Sequence, residues 1–155
     1  MILGEALNRR SDLLKRVAQV QDRLGASALA QEGDEPPERP EELMEELDSL
    51  CGELQSLIAR VNHTNAATKL SNGETVTEAL ARRDVLDLRL TAMRAVVREA
   101  TGRGGPLSRY SRSEIRMVRQ IEVSDVQRQI DRLAKQRREL DTLLQQHNWS
   151  VPMVE

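Results

Sequence analysis

Glu5-Ala6-Leu7-Asn8-Arg9-Arg10-Ser11-Asp12-Leu13 and Glu78-Ala79-Leu80-Ala81-Arg82-Arg83-Asp84-Val85-Leu86 spell nearly the same nine residues twice. A second pair interleaves with the first: Leu57-Ile58 with Asn62 and Thr64 returns as Leu143-Leu144 with Asn148 and Ser150. Two segments followed by the same two segments describe a helical hairpin and then its repeat. The spacing therefore predicts an all-α fold, an antiparallel four-helix bundle built from two pseudo-repeated hairpins in a single domain spanning residues 1–155.

Apolar periodicity places the helices. Ala6, Leu13, Val17, Val20 and Leu24 recur at three- and four-residue steps, giving a first helix over about 3–24 that Gly25 ends. Three prolines and clustered acids from Gln31 to Pro40 read as an exposed loop. Pro40 suits a first helical turn, and Glu41 and Glu42 behind it suit the positive end of the helix dipole. The second helix then runs over about 40–65 through Leu43, Leu47, Leu50, Leu54, Leu57 and Val61. Asn72-Gly73 supplies turn chemistry, and Thr75 with Glu78 matches a capping box that starts a third helix over about 76–101. Ser124 with Gln127 matches another, opening a fourth helix over about 124–147.

The two repeats are offset by 78 − 5 = 73 and 148 − 62 = 86 residues, so 13 extra residues fall in the second hairpin's loop. There Ile115, Met117, Ile121 and Val123 alternate with polar neighbours, which predicts a short extended or β arm over about 109–123. A lone strand leaves its backbone groups unpaired. The economical partner is the same arm of a second copy, so the arm predicts a homo-oligomer.

Composition narrows the function classes. Phe is absent and there is one Trp and one Tyr, too few flat rings for a base-stacking platform. The net charge of −2 gives no global field for nucleic acid, yet the charge is segregated. Residues 34–48 are acidic, whereas Arg89, Arg94, Arg98, Arg103, Arg109, Arg112, Arg116 and Arg119 make the later segment basic. Arg109, Tyr110, Arg112, Arg116 and Arg119 are thus candidates for the oligomer arm or for a polyanion contact. One cysteine excludes an internal disulfide, and Cys51 sits in the heptad series Met44, Leu47, Cys51, Leu54, Ile58, which predicts a core thiol. No run reaches the roughly 18 apolar residues of a membrane span, and no basic-then-apolar leader opens the sequence, so the expected setting is the cytoplasm with no membrane contact.

In an antiparallel hairpin the start of one helix meets the end of the next. Arg10 with Asn62 and Thr64, and Arg83 with Asn148, are therefore candidates for an anion or subunit contact. Helix-end capping by these arginines is the plainer reading of the same residues. His63 and His147 lack a ligand-type partner one helical turn away, so no metal is expected. No phosphate loop, nucleophile elbow or CxxC is present, and no cofactor or enzymatic activity is expected.

The stretch Asn62-His63-Thr64-Asn65 through Lys69-Leu70, Gly73, Thr75, Glu78-Ala79-Leu80 and Arg83-Asp84 resembles the septicolysin-like family of small helical bacterial proteins. Arg109-Tyr110-Ser111-Arg112-Ser113-Glu114-Ile115 and Asn148-Trp149 look like the same family's other signatures. The resemblance implies a cytosolic helical protein without an established biochemical role. Its label also suggests a pore-forming toxin, which the absence of any membrane-length apolar run or pore-strand hairpin opposes.

The leading expectation is a non-enzymatic, self-associating helical scaffold or interaction module, with the arm building the oligomer. The alternative is an RNA- or polyanion-binding module using the arginines of 89–119, which makes salt-sensitive binding the discriminating observation.

Overall fold

The computed structural model describes residues 1–102 and 118–154. Four helices make up the fold: α1 (Leu3–Ser27), α2 (Pro40–Ala67), α3 (Val76–Ala100) and α4 (Val123–Asn148). Among the described residues there is no strand, only two isolated antiparallel bridges, Ile2 with Pro152 and Lys69 with Thr75. The all-α class follows. The arm expected over 109–123 falls largely on residues 103–117, outside the described residues. Its described part, 118–122, carries no regular structure.

The chain divides into two compact units, Met1–Thr75 with Gln145–Glu155, and Val76–Leu144. In the first unit α1 and α2 pack as a hairpin. Leu3, Ala6, Leu13 and Val20 of α1 face Leu50, Leu57 and Val61 of α2, and Met153 joins them from the C-terminal tail. On α2 the buried line Leu43, Leu50, Leu57, Thr64 advances by seven residues at each step. That is the period at which a helix returns the same face to a neighbour. Each such leucine contributes about 1.5–3 kcal/mol by leaving water.

The expected core thiol is corrected by the same geometry. Met44, Cys51 and Ile58 each follow a buried residue of α2 by one position, which turns them about 100° away from α1. Cys51 and Met44 are exposed, and only Leu47 and Leu54 of the predicted series pack against the core.

Helix ends differ from expectation in two places. Gly25 does not terminate α1: it keeps a helical φ, and the helix continues to Ser27. Nor does Ser124 cap α4. Glu122 precedes the helix, its carbonyl accepting from Asp125 and Val126 and its carboxylate from the Ser124 hydroxyl at 3.0 Å. Pro40 does occupy the start of α2, with Glu41 and Glu42 in its first turn.

In the second unit α3 and α4 form the other hairpin. Leu90, Ile130 and Leu133 are buried, with Leu86, Met93, Val97, Val126 and Ala134 packed around them. Arg137 of α4 ties the pair together, donating from Nε to Asp87 at 2.8 Å and pairing with Asp141 through Nη1. The end of α3 is closed by Gly102 at φ 70°, a left-handed conformation glycine reaches without strain.

The repeat is visible in the structure. Leu3 and Ala6 of α1 correspond to Val76 and Ala79 of α3 at the 73-residue offset, and all four are almost wholly buried. The residue before α1 and the residue before α3, Ile2 and Thr75, also differ by 73, and each makes an antiparallel bridge to the chain beyond an even-numbered helix.

Candidate functional site

The densest polar arrangement in the first unit lies where α2 ends, α4 ends and the C-terminal tail returns. Thr64, on the buried line of α2, is fully enclosed. Its hydroxyl donates to the Arg60 carbonyl at 2.9 Å and accepts the Val154 backbone N–H at 3.0 Å, with the Met153 sulfur 3.7 Å away. One turn later the Thr68 hydroxyl donates to the Thr64 carbonyl at 2.8 Å and lies 2.9 Å from Nε2 of His147. The tail is also pinned to the start of α1: Leu3 N–H donates to the Val151 carbonyl at 2.9 Å, and Met153 N–H to the Met1 carbonyl at 3.0 Å.

The proton count in this knot assigns the imidazole. Thr68 has one hydroxyl proton, and the Thr64 carbonyl takes it, so Thr68 must accept from His147. His147 therefore carries a proton on Nε2, an assignment inferred from the network. Burial disfavours the charged form and holds the pKa of His147 below its ordinary 6.5. This is the reverse of a nucleophile–base pair, in which the imidazole would take the hydroxyl proton. The arrangement locks the tail to the hairpin.

Trp149 closes the same corner. A Cβ placed on Gly4 would meet the Trp149 ring at 3.0 Å and the Asn148 carbonyl at 3.1 Å, so the absence of a side chain at Gly4 is what lets α1 start there. Trp149 as a whole is more than half exposed.

A second cluster fixes the acidic loop. Arg23 of α1 donates from Nε to Glu38 at 2.9 Å, engages its other oxygen with Nη2, and reaches Glu46 of α2 at 3.1 Å. The hydrogen bond from Arg23 holds the Glu38 carboxyl below the usual carboxylate range. The proline-rich segment read as an exposed loop is tethered to the hairpin by these contacts. A cleft of about 770 Å³ opens beside it, lined by Ser27, Pro36, Pro37, Glu38 and Glu41 among others. The Ser27 hydroxyl is buried beneath this loop with no hydrogen-bond partner.

The residues singled out from sequence are distributed as follows. Arg10, expected beside Asn62 and Thr64, is exposed, and the neighbouring Arg9 bridges the hairpin to Glu53, at 2.5 and 2.9 Å. Asn62 is exposed on an open apolar cleft of about 450 Å³ with Cys51, Leu54, Gln55, Ile58 and Ala59. Thr64 points inward, as described. Arg83 pairs with the adjacent Asp84 at 3.1 Å, and Asn148 is half-buried at the end of α4. Arg119 donates to the Ala100 carbonyl at 2.8 Å, satisfying a group that the end of α3 leaves open. Arg109, Tyr110, Arg112 and Arg116 lie outside the described residues. Among the described residues no group of three or more His, Cys, Asp or Glu is placed to hold a metal ion.

Sequence reasoning missed the Thr68–His147 contact. Its signal was weak but present: Thr64 and Thr68 are one turn apart, and His147 falls in an otherwise apolar line with Leu140 and Leu144.

Fold and site together define an all-helical protein of two hairpins, the first locked by its own C-terminal tail. The chain belongs to a family of unknown function, DUF6847, whose model matches residues 10–153. It is similar to a functionally unknown conserved protein from Corynebacterium diphtheriae seen in a crystal structure. The two are 35% identical with a TM-score of 0.89, and the match covers 100% of this chain and 99% of that one. No curated protein matches.

These findings overturn the septicolysin-like resemblance: the family is another one, and nothing in the comparisons points to septicolysin. Of the residues that carried the resemblance, Lys69, Leu70 and Gly73 shape the turn that follows α2. Lys69 bridges Thr75, Leu70 N–H donates to the Glu74 carbonyl at 2.8 Å, and Gly73 turns the chain at φ 87°. No helix among the described residues is long and apolar enough to cross a membrane.

Proposed function

We propose that the protein is a non-enzymatic helical scaffold that works by associating with further copies of itself. The observation that carries this reading is the amount of apolar side chain left in the open on both hairpins. Leu88 is 71% exposed, Val85 62% and Met44 53%, and Leu14, Val96 and Val118 are also exposed. Scattered exposed leucines are ordinary, but apolar side chains repeated along one side of a helix mark a surface that is covered in use. The polar clusters support the same reading, since each is spent on holding helices, loop or tail in place. A cytoplasmic setting accords with it, because the exposed Cys51 thiol stays reduced there.

Light scattering over a range of concentrations tests the proposal. A mass that is a multiple of 17.5 kDa is expected. A single species of 17.5 kDa at every concentration up to the millimolar range would overturn it. Deleting residues 108–121 then asks whether the segment expected to form an arm contributes: a smaller species with helical content retained would assign the contact to it.

A further inference from the structure

The third helix carries two apolar stripes. One is used inside its own hairpin by Leu86, Leu90, Met93 and Val97. The other runs through Ala81, Val85, Leu88, Ala92 and Val96, all exposed. At about 100° per residue this second stripe lies on roughly the opposite side of the helix from the first. From Ala81 to Ala92 its steps of four, three and four residues are those of a coiled-coil seam, and Val96 flanks that seam.

We propose that this stripe is the interface with a second copy of the chain, the two α3 helices lying parallel across a two-fold axis. The inference rests on the self-association reading and names the surface and the register. Three observations choose the occupant. The seam residues are apolar at every layer from Ala81 to Ala92, whereas the corresponding open line on α2, Met44, Cys51 and Ile58, alternates with Asp48, Gln55 and Asn62. Val85 falls at the first core position of the heptad and Leu88 at the second, the β-branched-then-leucine order that favours two parallel strands. The flanking charges fit only that direction. In a parallel pair the residue before the first core position meets the residue five further on in the partner chain. Here Asp84 meets Arg89 of the other copy, twice by symmetry. An antiparallel pair would instead align Arg82 and Arg89 with the same flank of the partner, setting like charges together. Within its own chain Asp84 is engaged through Oδ1 by Arg83, an exposed pair that leaves its second oxygen for the partner.

Leu88→Arg puts a charge into the seam while touching none of the residues buried in the hairpin. The full-length variant is expected to keep its helical circular dichroism and to weaken association by on the order of 100-fold or more. Asp84→Lys or Arg89→Glu alone should weaken it roughly tenfold, and the two combined should restore it. Direction is read by cross-linking in a Cys51→Ser background. A parallel pair requires both Ala81→Cys and Leu88→Cys to form self-disulfides on mild oxidation, whereas an antiparallel pair allows at most one of them. Wild-type protein of monomeric mass removes both the inference and the reading beneath it. An oligomer unaffected by Leu88→Arg removes the inference and leaves the reading standing. Cross-linking at one position only overturns the parallel register.

Discussion

The hydroxyl of Thr68 sits 2.9 Å from Nε2 of His147, joining the chain just beyond the end of α2 to the last turn of α4. Burial holds the imidazole below its ordinary pKa of 6.5, so the native protein binds this proton less readily than the unfolded chain does. Above about pH 6.5 both states are neutral and the group leaves stability unchanged. As pH falls through the interval between 6.5 and the folded value, stability drops. The urea midpoint of the wild type should therefore decline across that interval more steeply than that of His147→Gln. An imidazole titrating at or above 6.5 in proton NMR would contradict the assignment.

Replacing Thr64 by Val keeps the shape and removes the hydroxyl. The half-buried Val154 N–H then loses its acceptor, at a cost of about 1 kcal/mol. Chemical denaturation should show that loss. Thr64→Ser, which retains the hydroxyl, should lose much less.

Two glycine-to-alanine changes should have opposite signs. At Gly52, inside α2, an added Cβ meets nothing within 4 Å, and alanine should stabilise the helix by up to about 1 kcal/mol. At Gly4 the same methyl meets the Asn148 carbonyl at 3.1 Å, which cannot swing aside as a side chain could. Gly4→Ala should lower the melting temperature despite its better helix propensity, and should alter the fluorescence of Trp149, the chain's one tryptophan.

Arg23→Ala should free the acidic loop. The Glu38 carboxyl, held low chiefly by its hydrogen bond from Arg23, should return towards the ordinary carboxylate value. Because its folded value is depressed, the tether is present above the ordinary carboxylate pKa and is lost as pH falls through the folded one. Limited proteolysis between residues 31 and 39 should accelerate in the variant, and in the wild type as acid is added. Equal cleavage rates in both proteins at neutral pH would argue against the tether.

The helices were legible because each is specified many times over. Leu43, Leu50, Leu57 and Val61 would each have to be misread to hide α2, and Pro40 marks its start independently. Which stripe of a helix is inside was less legible. Met44, Cys51 and Ile58 keep the same seven-residue period as the buried line one position earlier, and period alone does not say which line meets α1. Ends were least legible. Gly25 could stop a helix but here simply stays helical, and Glu122 caps where Ser124 was the better statistical choice. The candidate site was legible only in pieces. Thr64 and Asn148 were picked out for their repetition, but the contact between Thr68 and His147 spans 79 residues, and the sequence hints at it only through the placement of each partner on its own helix.

Met153 lies in the core that α1 and α2 form, and Val154 is hydrogen-bonded beside it. The first hairpin is therefore completed by residues that follow the second hairpin in the sequence. During synthesis it must wait, its end unplugged, until the ribosome has delivered the whole second hairpin. Assembly of the first unit thus waits on synthesis of the second, which leaves that corner of a nascent chain open to chaperones and proteases.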